Sequence, residues 1–209
     1  MDRSTYQRWL KEDMRRLEGL LEGVVKSDAE LRRLIASGDD LQLLNLACGA
    51  CNEAKTLTNV FGGSGVEADD GRNMHFVGLD VRAREIAEAA DRFSGGPNAE
   101  FSFINGDATK LESYGQLPGA FDVIFMRHQN VWNGKRTWEE IYYKALEKLS
   151  PNGRLIITSY FDREHKEALE VIENQGGKLL LSKANGKSRS LAIPGKSVDR
   201  HVAILKREG

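Results

Sequence analysis

The apolar positions of the chain change their period repeatedly, and each change marks an element. Tyr6, Trp9, Leu10, Leu17, Leu20, Leu21 and Val24 recur three and four residues apart, which predicts an amphipathic helix over residues 4–25 with one buried face. A second helix follows directly, opened by Ser27 and Glu30 at capping-box spacing and closed at Gly38, where a glycine suits a C-terminal cap. LQLLNLA (41–47) is an apolar run of strand length, and residues 51–61 return to helical spacing. Beyond the loop GGSGVEADDGRN the alternation repeats, with MHFVGLD as strand and VRAREIAEAADRF as helix. A third round pairs AEFSFINGD with a short helix near 109–115, a fourth pairs FDVIFM with RTWEEIYYKALEKL, and a fifth pairs GRLIITSYF with REHKEALEVIENQ. Strand followed by helix, repeated with short connections, predicts a largely parallel sheet covered on both faces. The tail breaks the rhythm: GKLLLSK and DRHVAILKR are joined by a loop without a helix, so they are expected to pair antiparallel at one sheet edge.

Composition narrows the class. A chain of 209 residues fits one domain with a small accessory element. Charged residues make up 29% with a formal net charge of −1, which argues against a wide basic surface for non-specific nucleic-acid binding. The start of the chain is charged throughout and no apolar run has membrane-spanning length, so a cytoplasmic protein with no membrane partner is expected. Two cysteines cannot supply a four-thiolate zinc site and His75, His128, His165 and His201 lack ligand spacing, so no metal is implied.

The stretch LLNLACGACNEAKTL (43–57) admits two readings. Cys48 and Cys51 stand in the spacing of a dithiol redox site, and the same letters fit a glycine loop at the end of a strand, where a nucleotide is held. A thioredoxin-like domain would leave four later strand–helix units unexplained. Acidic residues at successive strand ends explain more. Asp80 closes the second strand, where a carboxylate accepts both hydroxyl protons of a ribose; its alternative is a helix N-cap. Asp107 closes the third, where a carboxylate beside the Ala108 amide reads an adenine edge; its alternative is a turn. For Cys48 and Cys51 the alternative is two small, partly buried side chains in a tight turn.

On these residues the chain resembles a class I S-adenosylmethionine-dependent methyltransferase over about residues 41–207. The resemblance implies an α/β, Rossmann-like, doubly wound seven-stranded sheet, mostly parallel with one antiparallel strand near the C-terminus, plus N-terminal helices. Residues 1–40 would then form a helical extension packing on or over the cofactor cleft, and 41–209 the methyltransferase domain. The family's acid and three alternating glycines fall on Asn45, Ala47, Gly49 and Cys51, so only the middle glycine is present. The fragment ACGACNEAKTL, with FDVIFMRHQNVW, is also similar to chemotaxis-receptor glutamate methyltransferases, in which reading Glu53 meets the cofactor's ammonium group. The implied cofactor is S-adenosylmethionine, with S-adenosylhomocysteine as product, held by Asn45, Ala47, Cys48, Gly49, Glu53, Asp80, Val81, Asp107, Ala108 and Arg127.

The acceptor is expected beside the fourth strand's end, at Asn130, Trp132 and Tyr160, with His128 as the base that removes a proton from an O- or N-nucleophile. The acceptor is taken as a small molecule, with a protein side chain or RNA left open. The Asn-Pro-Pro-aromatic tetrapeptide that presents planar amino groups is absent after the fourth strand, and no cysteine there supports covalent carbon methylation. Two alternatives stand beside this reading: a non-catalytic S-adenosylmethionine-binding module, and a dithiol redox protein.

Overall fold

The computed structural model describes residues 2–37, 39–62, 73–93, 95 and 99–208. Gly38 and nearly all of the Gly/Asp-rich loop lie outside them. Two helices, α1 (Arg3–Ser27) and α2 (Ala29–Ala36), precede β1 (Leu41–Leu46) and α3 (Ala54–Gly62). Then come β2 (Met74–Asp80), α4 (Ala83–Arg92), β3 (Ala99–Asn105), a 3-10 turn (Ala108–Ser113), β4 (Phe121–Arg127) and α5 (Lys135–Glu147). The chain continues through β5 (Leu149–Ser159), α6 (Asp162–Asn174), β6 (Gly177–Ala184), the two-residue strands β7 (Arg189–Ser190) and β8 (Ser197–Val198), and β9 (His201–Arg207).

Seven strands form one sheet in the order β3-β2-β1-β4-β5-β9-β6. The pairs from β3 to β5 are parallel, and β9 runs antiparallel to both β5 and β6. This is the expected doubly wound sheet with its antiparallel strand near the C-terminus. Alternation decides the layers, because successive strand side chains point to opposite faces. Leu41 and Leu43 join the layer that contains Leu17, Leu21, Leu57 and Phe61, whereas Leu44 and Leu46 join the layer that contains Ile141, Tyr142 and Ile172. The first layer is α1, α2, α3 and α4; the second is α5, α6 and the 3-10 turn.

Three local expectations change. The second helix is capped by Asp28, whose Oδ1 accepts the amides of Glu30 and Leu31 at 3.0 Å each, while the Ser27 hydroxyl turns back to the Gly23 carbonyl. A carboxylate wins here because the same group also meets Arg154 of β5 at 2.6 Å. That arginine is 1% exposed and reaches Glu30 as well, so one guanidinium docks α2 onto the sheet. The helix expected near 109–115 is a 3-10 turn, which suits so short a span. The buried face of α1 begins late: Leu17, Leu20, Leu21 and Val24 are buried, but Tyr6 is 46% and Trp9 39% exposed. Among the described residues no helix is long and apolar enough to cross a membrane, and no cluster of His, Cys, Asp or Glu has metal-binding geometry.

Candidate active site

The two-residue period places the site before any contact is considered. Counting from the core residues Leu43, Phe76, Phe125 and Ile156, the side chains of Asn45, Asp80, Arg127 and Thr158 fall on the α1–α3 face. All four stand at the carboxyl ends of parallel strands, the rim at which open α/β sheets bind ligands.

After β1 the backbone makes three left-handed steps, at Ala47 (φ 53°), Gly49 (φ 56°) and Cys51 (φ 52°). These are the three positions that match the family's glycines, so the loop keeps the glycine-type path with two side chains that resist it. Gly49 is the one of the three that takes this conformation without a side-chain penalty, and Arg82 and Glu85 close over it. A Cβ there would stand 2.7 Å from both Arg82 Nη2 and Glu85 Oε2. Cys51 is fully buried, and its sulfur lies 3.1 Å from where a Cβ on Gly78 would sit, so a bare strand backbone makes its room. Burial and then the neighbouring Cys48 push its thiol well above the usual range, which makes it a poor thiolate source. Asn45 is buried too, and donates from Nδ2 to Glu53 Oε1 at 2.7 Å and to Cys51 Sγ at 3.3 Å. The amide at the family's acidic position thus holds an acid eight residues on. Burial raises the Glu53 carboxyl, with Arg127 and Asn45 pulling the other way.

Asp80 has its four lone-pair directions filled. Oδ2 accepts the Gly49 amide at 2.7 Å and Arg82 Nη2 at 3.1 Å; Oδ1 accepts the Arg82 amide and Arg82 Nε at 2.9 Å each. Burial alone would raise this carboxyl, but those donors outweigh it and hold it below the ordinary carboxylate range. Val81 follows at the rim, 65% exposed. Asp107 caps the 3-10 turn through the Thr109 amide at 3.0 Å, and Ala108 is the turn's first residue, whose amide the turn itself cannot satisfy.

At the end of β4 stands a buried ionic knot. Arg127 clasps Asp199 through Nε at 2.9 Å and Nη2 at 2.6 Å, and its Nη1 lies 3.8 Å from Glu53 Oε2. Thr158 donates to the same Asp199 at 2.7 Å. Burial opposes both charges, yet their pairing prevails: the guanidinium is held above its ordinary pKa and the carboxyl well below its own. His128 Nε2 meets Asp199 twice, 3.1 Å from its amide and 2.9 Å from its Oδ1, so Asp199 holds the ring by that nitrogen. Burial lowers the His128 pKa against the pull of Asp199 and keeps the ring neutral. The imidazole stacks on Tyr160 with ring centres 3.6 Å apart.

Two cavities open onto these groups, of about 640 Å³ and about 320 Å³. The larger is polar and is lined by Ala47, Cys48, Gly49 and Glu53 of the loop and by Arg82 and Glu85 of the α4 start. The smaller lies under the start of α1. They share Tyr6, Asn52, Arg127, His128 and Tyr160. Asp80 is screened from the larger cavity by Arg82, Asn45 lies beneath its floor, and Val81, Asp107 and Ala108 lie outside its lining. Asn130 and Trp132 line neither cavity; Trp132 packs edge-on to Phe161 under Arg163. Asp199, Arg189 and Asp13 escaped the sequence reading, because Asp199 meets Arg127 across 72 residues and Arg189 meets Asp13 across 176.

The donor set fits a nucleoside bearing an amino-acid tail: a deep carboxylate at the second strand's end, a close-approach glycine above it, and a second buried acid, Glu53, across the loop. Seating a ribose on Asp80 requires the Arg82 side chain, 55% exposed, to swing away, which frees two acceptor directions for two hydroxyls.

Comparisons with known proteins bear on the fold and the family. Solved structures of similar fold include the N-methyltransferase NodS from Bradyrhizobium japonicum, at 13% identity over 90% of this chain and 97% of that one, with a TM-score of 0.58. A TehB-like SAM-dependent methyltransferase from Corynebacterium glutamicum is 20% identical over 98% and 97%, with a TM-score of 0.56. An rRNA methylase from Streptococcus thermophilus is 16% identical over 86% and 94%, also at 0.56. At these identities the likeness speaks for the fold alone. No curated protein sequence matches the chain. Residues 37–189, well over half of the chain, match the family described as a methyltransferase domain. A sheet of this order, a left-handed loop after its first strand and a family match over residues 37–189 place the chain in the methyltransferase-domain family, as an enzyme whose cofactor is S-adenosylmethionine.

Proposed function

We propose that the protein transfers a methyl group to an oxygen or nitrogen of a small molecule held in the smaller cavity. The observation that carries this reading is the junction of the two cavities at Arg127, His128 and Tyr160. The cofactor supplies an activated methyl group, so the protein's task is alignment. In this reading Asp80 grips the ribose once Arg82 has swung out, the Gly49 backbone approaches the chain linking sugar and sulfur, and Glu53 meets the ammonium group. Asp107 and the Ala108 amide take the adenine edge, with Val81 against the ring. The hydrogen bond from Asn45 to Glu53 supports the relocated acid and the likeness to chemotaxis-receptor glutamate methyltransferases around residues 47–57. Residues 1–40 act as an accessory element over the cleft, since Tyr6 borders both cavities. His128 stands beside the acceptor with its Nε2 held by Asp199, so a proton taken from the acceptor would go to Nδ1.

Melting the protein with S-adenosylmethionine, S-adenosylhomocysteine and NAD in parallel tests the reading. A ligand at about a hundred times its dissociation constant adds roughly 2.7 kcal/mol, a clear rise in Tm. The first two should raise the Tm, NAD should not, and Asp80→Ala should erase the rise. A shift that survives Asp80→Ala removes the ribose assignment.

A further inference from the structure

Cys48 and Cys51 meet across a single turn of the loop after β1, and both are free thiols. The Cys51 amide donates to the Cys48 carbonyl at 2.8 Å, which closes a four-residue turn with Gly49 left-handed inside it. The ends of such a turn lie less than about 7 Å apart at Cα, and a disulfide spans about 4.4–6.8 Å, so the turn brings this backbone into the range of a cross-link. Burial first and Cys48 second raise the Cys51 thiol, so the two side chains act on each other directly.

The two sulfurs differ in access. Cys48 is half-buried and lines the larger cavity, where its sulfur makes a long contact, 3.6 Å, with the Gly49 carbonyl. The Arg82 guanidinium, in the same wall, lies within electrostatic reach of an anionic sulfur there. Cys51 is fully buried, lines neither cavity and takes a hydrogen bond from Asn45 Nδ2 at 3.3 Å. A solute entering the cavity meets Cys48 and is kept from Cys51. At about 640 Å³ the cavity is large enough for a tripeptide thiol, and such a group on Cys48 would lie where the cofactor lies in the reading above.

We propose that Cys48 and Cys51 are a redox-active dithiol, oxidised by small-molecule disulfides when the cofactor is absent, with Cys48 as the attacking thiol and Cys51 as the resolving one. In the first step the Cys48 sulfur bonds to one sulfur of the reagent, the reagent's S–S bond breaks, and its other half leaves as a thiol with the Cys48 proton. In the second the Cys51 sulfur bonds to Cys48, the mixed S–S bond breaks, and the remaining half leaves with the Cys51 proton. Two cysteines lose two electrons and one disulfide becomes two thiols. Burial keeps Cys51 protonated, so the second step is the slower one. Exclusion by the cofactor rests on its lying in the larger cavity; the order of the two thiols does not.

Incubation with glutathione disulfide, with and without saturating S-adenosylhomocysteine, followed by mass spectrometry of the peptide that carries both cysteines, tests the proposal. The wild-type protein is expected to end with a Cys48–Cys51 disulfide, and S-adenosylhomocysteine at about a hundred times its dissociation constant should slow that at least about tenfold. Cys51→Ala should stop at a stable glutathione adduct on Cys48, and the adduct should abolish the rise in Tm given by S-adenosylhomocysteine until a reducing agent restores it. Cys51→Ser, closer in size, should give the same trapped adduct. Cys48→Ala should leave Cys51 unmodified in the folded protein. An adduct on Cys51 in Cys48→Ala, a disulfide that forms equally fast with the ligand bound, or two thiols that survive the reagent in the empty protein overturns the proposal. Failure of S-adenosylhomocysteine to bind the reduced protein is a different result: it removes the cofactor from the larger cavity, and the trapped adduct still decides which thiol attacks.

Discussion

Two pairs of residues hold left-handed backbone without being glycine, and they do so for different reasons. Ala47 and Cys51 shape the loop after β1; His128 and Asp199 form the knot at the ends of β4 and the ribbon. In the knot the strained backbone turns polar groups toward each other: the Asp199 amide reaches His128, and its carboxylate collects Arg127 and Thr158. In the loop the return is in the backbone: the Cys51 amide donates to the Cys48 carbonyl at 2.8 Å and the Cys51 carbonyl accepts the Ala54 amide at 3.1 Å, while the side chains add only the Cys51 sulfur's contact with Asn45. Left-handed conformation costs an L-residue about 1–2 kcal/mol. The knot's cost is offset by side-chain bonds between distant segments, the loop's by the backbone bonds of its own turn.

The largest expected effect breaks the knot. Asp199→Ala leaves the Arg127 guanidinium buried without its carboxylate and should destabilise the protein by about 3–5 kcal/mol in urea unfolding. A loss below about 1 kcal/mol would mean that the pair contributes nothing beyond a surface bridge. The loop should respond in the opposite direction. Ala47→Gly should stabilise by about 0.5–1 kcal/mol, the relieved strain less the entropy of a glycine. Cys51→Gly should gain nothing, because it empties a fully buried site. If both glycines behave alike, backbone strain is not what distinguishes the two positions.

A smaller effect concerns ligand entry. Arg82→Ala removes the guanidinium that competes for Asp80, and the affinity for S-adenosylhomocysteine should rise roughly two- to fivefold. A weaker complex would show instead that Arg82 contributes to the bound state. The smallest effect is the pH dependence. Burial lowers His128 below 6.5, and Arg127 and His128 overcome the burial of Asp199 to lower it below 3.8, so the unfolded chain takes up both protons first. The knot's contribution therefore falls as the pH drops below 6.5 and again below 3.8. Cys51 is raised above 9.0, so the unfolded chain loses that proton first and the loop's contribution falls as the pH climbs past 9.0. Cys51→Ala should flatten the alkaline limb of the urea midpoint and leave the acid limb unchanged.

The same contrast explains what could be read in advance. The loop is local: Asn45, Ala47, Gly49, Cys51 and Glu53 stand within nine residues, so consecutive letters marked a bent strand end, and the acids at later strand ends chose between its two readings. The knot is assembled from β4, β5 and the stretch before β9, and no sequence period connects Arg127 with Asp199. Trp132 looked like a site residue because it follows His128 closely, yet the turn after β4 carries it to Phe161. Tyr6 and Trp9 fitted a buried helical face, but α1 extends past the core it covers and leaves them at a cavity.

What the chain determined by itself is the order of strands and helices, the face on which each strand side chain lies, and the acids at the carboxyl rim. Periodicity and turn chemistry act over a few residues, so they are written in consecutive letters. Which polar groups pair with which was decided only by the tertiary structure. Asp199 gathers Arg127, His128 and Thr158, and Asp13 takes Arg189, because each depends on what a distant segment brings within hydrogen-bonding reach.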